Sequence, residues 1–220
     1  MRTTGAASVT AAPTRTSILE ITGPELSARL DEALAIYVAA MAYPPGTARQ
    51  RAPMWTEHTR RPGWRAVAAV DDGGRMHGVA YGYSGAPGQW WYEEVRKGLV
   101  PRAPRRRLRP AAAEPDPPAP ADARSLTWLE DYFELTELHV DPASQGRGLG
   151  DALLRRLLAG VGAPAVLLST PEAEQPTRAW SLYRRLGFTD VLRHHRFSSD
   201  PRPFAVLGRP LPLPPVPPRA

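Results

Sequence analysis

The stretch FELTELHVDPASQGRGLGDALLRRLL, residues 133–158, joins a strand pattern to a helix pattern through a glycine-rich turn. Alternating residue character predicts a β-strand over Phe133–Val140, which Asp141-Pro142 ends. Leucines at helical spacing predict a helix from about Gly150 to Val161. A helix start exposes unpaired backbone N–H groups and the positive end of the helix dipole. The turn before this helix is therefore suited to hold a phosphate group.

The turn itself reads Gln145-Gly146-Arg147-Gly148-Leu149-Gly150. Its glycines let backbone N–H groups approach a ligand without interference from Cβ, and its arginine adds positive charge. A P-loop needs Gly-Lys followed by Ser or Thr, which the chain lacks. A dinucleotide fingerprint would place its third glycine at Asp151, and it would follow its strand directly. The residues alone leave either another kind of phosphate cradle or an ordinary strand–helix turn.

Two markers together resemble the GNAT superfamily of acyl-CoA-dependent N-acyltransferases. The first, Leu138–Pro142 followed by Gln145–Gly150, is similar to that family's (Gln/Arg)-x-x-Gly-x-Gly/Ala signature. The second, Ala179–Phe188, is similar to its helix ending in Leu-Tyr-x-x-x-Gly-Phe. The resemblance covers roughly Phe133–Phe188. One departure is Pro176, since family members often carry Asn there, and a side-chain contact to the cofactor would be lost.

The resemblance implies a mixed α/β fold, with a central, mostly antiparallel sheet, a splayed strand pair and helices on both faces. The order of elements predicted from the remaining sequence agrees with it. The further predicted strands are Ser17–Thr22, Trp64–Val70, Met76–Tyr83, Ala165–Ser169, Phe188–Phe197 and Phe204–Leu207, and the further predicted helices are Gly23–Ala42, Thr47–Arg60, Trp90–Leu99 and Thr177–Leu186.

The predicted domain organisation is a single domain over residues 17–209. A disordered segment at residues 1–16 precedes it, and a Pro-rich tail at residues 210–220 follows it. A Pro/Arg-rich insert at about residues 101–124 has almost no large apolar side chains and is predicted to be disordered, because it cannot offset the entropy of ordering.

The resemblance implies acetyl-CoA as co-substrate and a primary amine of a small molecule or a protein as acceptor. The backbone of Leu138 and Val140 would pair with the pantetheine arm, and the backbone of Gly146–Gly150 would hold the pyrophosphate. The complete set of cofactor-binding residues that it implies is Leu138, His139, Val140, Gln145, Gly146, Arg147, Gly148, Leu149, Gly150, Thr177 and Tyr183. The amine would attack the thioester directly in a ternary complex, and the absence of cysteine excludes an acetyl-cysteine intermediate.

Direct attack needs a neutral amine, so a base must take a proton. The candidates are Glu134 and Glu137, which strand alternation places on opposite faces unless a β-bulge intervenes. Glu134 lies eleven residues before Gln145, similar to the base of histone-type family members. Glu137 lies where some polyamine-type members carry an acid, so both stay open. Tyr183 is the family-matched proton donor to the departing thiolate.

The acceptor pocket is the least specified part of the site. In this fold the early helices and the loops near the strand ends build it, and aromatic side chains either line it or pack in the core. The candidates are Trp55, Trp64, Tyr81, Tyr83, Trp90, Trp91 and Tyr92.

Charge and composition restrict the other function classes. The formal net charge is +6, but about +7 lies in residues 1–17, 101–124 and 209–220 together, so the rest is near neutral. A folded nucleic-acid-binding face would carry the charge itself, which disfavours nucleic acid as a partner. Nucleic-acid binding through the Arg-rich insert remains a lesser alternative, and a non-catalytic acyl-CoA sensor is the main one.

The location and assembly of the protein are less constrained. The five histidines show no metal-ligand spacing, so no metal is expected. No apolar run is long enough to span a membrane and no secretory signal is visible, so no membrane partner and a cytoplasmic location are expected. A homodimer is kept as a hypothesis.

Overall fold

The structure, a computed structural model, describes residues 15–100, 123–172, 177–198 and 200–215. Most of the predicted N-terminal segment and of the predicted insert lies outside the described residues, as do Pro176 and residues 216–220.

The described residues form a seven-stranded sheet with the order β1-β2-β3-β4-β5-β7-β6. Only the β4–β5 pairing is parallel. This architecture confirms the predicted mixed, mostly antiparallel fold. The elements are β1 (Thr16–Ile21), α1 (Gly23–Ala28), α2 (Leu30–Met41), α3 (Thr47–His58), β2 (Arg65–Asp71), β3 (Met76–Ser84), α4 (Trp90–Leu99), β4 (Phe133–Val140), α5 (Leu149–Leu158), β5 (Ala165–Pro171), α6 (Arg178–Arg185), β6 (Thr189–His195) and β7 (Phe204–Pro210), with short 3₁₀ helices at Ala123–Leu129 and Pro142–Ser144.

The predicted helix Gly23–Ala42 is in fact two helices that meet at Arg29. This residue has φ −117° and ψ 20°, outside the helical range. Its guanidinium donates to Glu32 at 2.6 Å and to the carbonyl of Gly74 in the β2–β3 turn at 2.8 Å. The contact with Gly74 joins distant parts of the chain at the break, which the leucine spacing did not reveal.

Apolar side chains from both faces of the sheet make the core. On one face, Leu153, Leu154 and Leu157 of α5 are fully buried in a cluster with residues of β2 to β5. Each such leucine stabilises the fold by roughly 1.5–3 kcal/mol. The opposite face is covered by α2 and α3 at one end, where Trp55 is fully buried, and by α4 at the other, where Val95 is.

The β4 and β5 strands separate soon after they meet. They pair only at Phe133–Val166 and Glu134–Leu167, near the start of both strands. Beyond Glu134, the edge of β4 that faces β5 has no strand partner among the described residues. The splayed strand pair expected from the family resemblance is therefore present, and it opens next to the glycine-rich turn.

Candidate active site

A β-bulge in β4 decides where its two glutamates lie. In the pairing with β3, Glu137 is opposite Tyr81, whereas Leu135 is already opposite Gly82, so Thr136 is an extra residue. Glu134 is opposite Tyr83. Residues that face each other across an antiparallel pair share a face of the sheet, so both glutamates lie on the α2–α3 face. The prediction from simple alternation, which put them on opposite faces, is wrong because the bulge shifts the parity by one.

Glu134 is a buried carboxyl group with one free oxygen. The residue is 2% exposed, and its Oε1 accepts a hydrogen bond from the Tyr83 hydroxyl at 3.0 Å. Its Oε2 has no hydrogen-bond partner among the described residues. Burial raises the pKa of Glu134 to about 7, against the opposing hydrogen bond of Tyr83 and the charge of Arg61. A carboxyl group with this pKa can gain or lose a proton near neutral pH.

Arg61 and Tyr83 form a chain of hydrogen bonds that ends at Glu134. Nη1 of Arg61 donates to the Tyr83 hydroxyl at 2.7 Å, and the guanidinium carbon lies 4.6 Å from the centre of the tyrosine ring. Arg61 is also paired with Glu57 at 3.1 Å, one helical turn earlier on α3. Burial and the charge of Glu134 raise the pKa of Tyr83, so the phenol stays protonated and donates. Hydrogen bonds therefore connect the guanidinium, the phenol and the carboxylate in one chain.

Glu137 lies in a different setting on the same face. Its carboxylate pairs with Nε2 of His139 at 2.5 Å, and its side chain is 13% exposed. The His139 ring packs edge-on against Tyr37 at 4.9 Å. His139 pairs with Val79 of β3, and its imidazole lies among aromatic side chains, so it does not face the open edge. Glu137 is therefore held by a neighbouring side chain and is more accessible than Glu134.

The buried His58 is neutral at physiological pH. Burial lowers the pKa of its imidazole to about 4, and the charge of Arg61 acts in the same direction. Its Nδ1 lies 3.0 Å from the Tyr81 hydroxyl. This histidine therefore adds no charge to the cluster around the two glutamates.

The open edge of β4 presents backbone groups. The N–H of Asp141 donates to the carbonyl of His77 in β3 at 2.9 Å. His77 comes just before Gly78, which is opposite Val140. Since backbone groups alternate along a strand, the N–H and C=O groups of Leu138 and Val140 point the other way, toward β5. The carbonyl of Val140 accepts from Nε2 of Gln145 at 3.1 Å. The remaining groups have no strand partner among the described residues and can pair with an extended ligand.

The glycine-rich turn has the geometry of an anion site. Gly146 and Gly148 have φ of 81° and 80°, a conformation that glycine adopts without strain. Gly148 is the N-cap of α5 and provides no side-chain cap. The N–H groups of residues 146–150 have no acceptor among the described residues. Leu149 is buried, and a Cβ on Gly150 would lie 3.4 Å from Leu182, so the two family markers pack directly against each other.

The second marker places Tyr183 on the opposite face of the sheet from Glu137. The Tyr183 ring is buried and lies 5.5 Å from that of Phe188. No described residue hydrogen-bonds to its hydroxyl. Burial raises the pKa of Tyr183, and the charge of Glu137 adds to the effect. Thr177 caps α6, since its hydroxyl oxygen accepts from the N–H of Trp180 at 3.2 Å.

Two cations near the site were missed by the sequence reasoning. Nη1 of Arg178 would lie 3.4 Å from a Cβ on Gly146, so its guanidinium approaches the glycine-rich turn. The hydrogen-bonded connection between Arg61 and Glu134 runs through the hydroxyl of Tyr83. Neither has a sequence signal of its own, because both contacts depend on how helices distant in sequence pack around the strands. Arg147 lies in the turn itself and is exposed.

The aromatic acceptor-pocket candidates have different surroundings. Trp55, Tyr81 and Tyr83 are at most 1% exposed and belong to the core under α2 and α3. Trp91, a residue of α4, is buried, whereas its neighbour Trp90 is 50% exposed. The core interpretation therefore applies to most of them. The remaining two candidates, Trp64 and Tyr92, are partly buried against these clusters.

Comparison with known proteins identifies the family. The model of the acetyltransferase (GNAT) domain matches residues 121–190. A GCN5-like protein acetyltransferase from Mycobacterium tuberculosis is 49% identical over 218 residues, covering 89% of this chain and 98% of that protein. The chain belongs to the GNAT acetyltransferase family. It is therefore an acyltransferase, and the alternative of a non-catalytic sensor finds no support in these matches.

Solved structures agree with the GNAT fold. A GNAT-family protein from Desulfovibrio desulfuricans has a TM-score of 0.57 at 16% identity, with 89% of this chain and 99% of that chain covered. A phosphinothricin acetyltransferase from Sinorhizobium meliloti, solved with acetyl-CoA, has a TM-score of 0.54 at 18% identity, with coverages of 89% and 88%. The part of this GNAT chain that the structure describes contains no helix able to cross a bilayer and no group of three or more potential metal ligands.

Proposed function

We propose that this GNAT enzyme transfers an acetyl group from acetyl-CoA to an amino group of a protein, by direct attack of the amine on the thioester. The observation that carries the proposal is the splay of β4 from β5 beside the glycine-rich turn. A protein acceptor is favoured because the relative at 49% identity is named a protein acetyltransferase.

Acetyl-CoA binding rests on backbone groups. The N–H and C=O groups of Leu138 and Val140 that point toward β5 would pair with the pantetheine arm as a substitute strand. The free N–H groups of residues 146–150 and the N-terminal end of α5 would hold the pyrophosphate. Arg178 would add charge beside the turn. An acyl-CoA therefore fits the donor atoms that this part of the chain presents.

Glu134 is the proposed general base. Its pKa of about 7 lets it be ionised before catalysis and still accept a proton from the acceptor ammonium. Its Oε2 is unpartnered, whereas the carboxylate of Glu137 is engaged by His139. Because Glu134 is 2% exposed, the proton reaches it through an intervening water. Glu137, which is more accessible, would attract the incoming ammonium.

Tyr183 is the proposed proton donor to the departing thiolate of CoA. Its raised pKa keeps the phenol protonated, and its hydroxyl is not engaged by another described residue. The amine loses its proton to Glu134 on one side of the opening, and the thiolate gains one from Tyr183 on the other. The acid and the base therefore act from opposite faces of the sheet.

The test is transfer of radiolabelled acetyl from acetyl-CoA to lysine-bearing proteins and peptides, beside a panel of free amino acids, polyamines and aminoglycosides. We expect labelled lysine in protein acceptors, and acetylation of small amines alone would overturn the acceptor class. Tyr183→Phe should keep acetyl-CoA affinity and lose most of kcat. Tyr43→Phe is the matched control, since it removes a phenol that bonds to Arg202 at 2.6 Å. Unchanged kcat in Tyr183→Phe would remove that tyrosine from the mechanism.

A further inference from the structure

Of the buried polar atoms without a hydrogen-bond partner among the described residues, two belong to positions 132 and 134 of the chain, at the proposed base. One is Oε2 of Glu134, and the other is the hydroxyl of Tyr132, a residue that is 1% exposed. Neither atom has a partner among the residues that the structure describes. Buried polar groups in native proteins are nearly always hydrogen-bonded, to protein atoms or to ordered water. Two such atoms in one region therefore call for a common explanation.

Tyr132 and Glu134 lie side by side on one face of the sheet. They are two residues apart, and Phe133 between them packs into the cluster under α5 on the other face. Tyr132 belongs to the same buried cluster as Leu167, which is the β5 partner of Glu134. Burial raises the pKa of the Tyr132 phenol, and the charge of Glu134 is the next largest cause. The two residues thus lie on the same face of the sheet, at the boundary between the α3-covered and α4-covered parts of the core.

The ring of Tyr132 is held in place. A Cβ on Gly85 would lie 2.0 Å from its Cζ and 2.4 Å from its hydroxyl oxygen, so only glycine fits beside it. The backbone carbonyl of Tyr132 accepts from the Gly85 N–H at 3.0 Å, and the Trp91 ring lies 5.8 Å away on the α4 side. The phenol therefore cannot swing toward Glu134 without moving α4 or the end of β3. A water can join a fixed donor to a fixed acceptor that do not touch.

We propose that a buried water accepts a hydrogen bond from the Tyr132 hydroxyl and donates one to Oε2 of Glu134, which makes Tyr132 a positioning residue for the base. The inference rests on the proposed role of Glu134 in catalysis. Tyr83 donates to Oε1, and the water on Oε2 is the same one through which Glu134 takes the proton of the amine, so Tyr132 fixes the position of that water.

In this arrangement Tyr83 and the water bound to Tyr132 both affect the pKa of Glu134. The other groups that act on this carboxyl are Arg61, which follows α3, Tyr83 from β3, and Thr136 and Glu137 from its own strand. A water that donates to the ionised carboxylate lowers its pKa, so removal of the Tyr132 hydroxyl should raise it by about 1 pH unit. Tyr132→Phe keeps the ring against Gly85.

The direct test is a ¹³C NMR titration of the full chain labelled at the glutamate carboxyl carbons, with the Glu134 signal assigned by its loss in Glu134→Gln. Tyr132→Phe should shift the midpoint upward by about 1 pH unit, and Tyr43→Phe should leave it in place. An unchanged midpoint in a folded Tyr132→Phe variant overturns the inference. If that variant does not fold, a crystal structure of the wild-type protein takes its place, and density for no water between the two oxygens overturns it equally.

The pH profile of kcat/KM separates this inference from the proposed function. If both are right, the rising limb of Tyr132→Phe moves to higher pH by the same amount as the NMR midpoint. If the NMR midpoint of Glu134 moves and the rising limb of the kcat/KM profile does not, the bridging water is supported and Glu134 is not the base.

Discussion

Replacement of Glu134 by Gln should make the protein more stable than the wild type at alkaline pH, but not at acidic pH. The carboxyl group is 2% exposed, and burial holds its pKa at about 7 instead of the ordinary 4.5. Below pH 4.5 the group is protonated in both the folded and the unfolded chain, so it causes no pH dependence there. Between 4.5 and 7 the unfolded chain releases this proton and the folded chain keeps it. The free energy of unfolding therefore falls as the pH rises through this window.

The size of the effect follows from the shift. A gap of about 2.5 units between the two values corresponds to about 3 kcal/mol, at roughly 1.4 kcal/mol per unit. Most of this loss should be complete by pH 8. Glu134→Gln has nearly the same shape and no ionisation, so its free energy of unfolding lacks this fall. The other titrating groups contribute to both proteins and cancel in the difference.

The measurement is urea unfolding of both proteins at intervals from pH 5 to pH 8.5, with linear extrapolation to water. The wild-type value minus the variant value should decrease by about 2–3 kcal/mol across this range. A difference that stays constant would show that Glu134 is not a buried group with a raised pKa, and it would remove the reason for choosing it over Glu137 as the base.

Two further predictions concern the glycine-rich turn and the core. Gly146→Ala should weaken acetyl-CoA binding in calorimetry, because φ of 81° costs a residue with a Cβ about 1–2 kcal/mol. Gly160→Ala carries a similar strain at φ of 70° after α5 and should leave the Kd unchanged, so equal losses in both would contradict an anion site at the turn. Leu153→Ala, at a fully buried position, should lower the free energy of unfolding by about 3 kcal/mol. Leu19→Ala, at a position 48% exposed, should cost far less, and similar costs would disprove the core assignment.

Local patterns predicted most of the secondary structure. Strand alternation and turn residues placed β3 at Met76–Ser84 and β4 at Phe133–Val140 within a residue. The β5 and β7 strands are longer than predicted, because they pair with each other as far as Pro171–Phe204 and Ala165–Pro210. Such pairing between distant segments extends a strand beyond its apolar run, and no local pattern encodes it.

The glycine-rich turn was also accessible from the sequence, because its chemistry is local. A strand end, two glycines at positive φ and a helix start lie close together in the chain, and the N–H groups without an acceptor among the described residues belong to these glycines and this helix start. The second marker is also local, because Tyr183 in α6 and Phe188 shortly after the end of this helix are close in the chain and their rings pack together.

The choice between the two candidate bases depended on tertiary structure. The sequence by itself determined that Glu134 and Glu137 lie on the strand before the turn, whereas the bulge at Thr136 appears only in the pairing with β3. The raised pKa of Glu134 requires burial beneath helices that are distant in sequence, together with Tyr83 and Arg61 beside it. Residue type and spacing therefore predict the proposed donor site, and the desolvation that distinguishes one carboxyl group from the other arises only when the helices pack over the sheet.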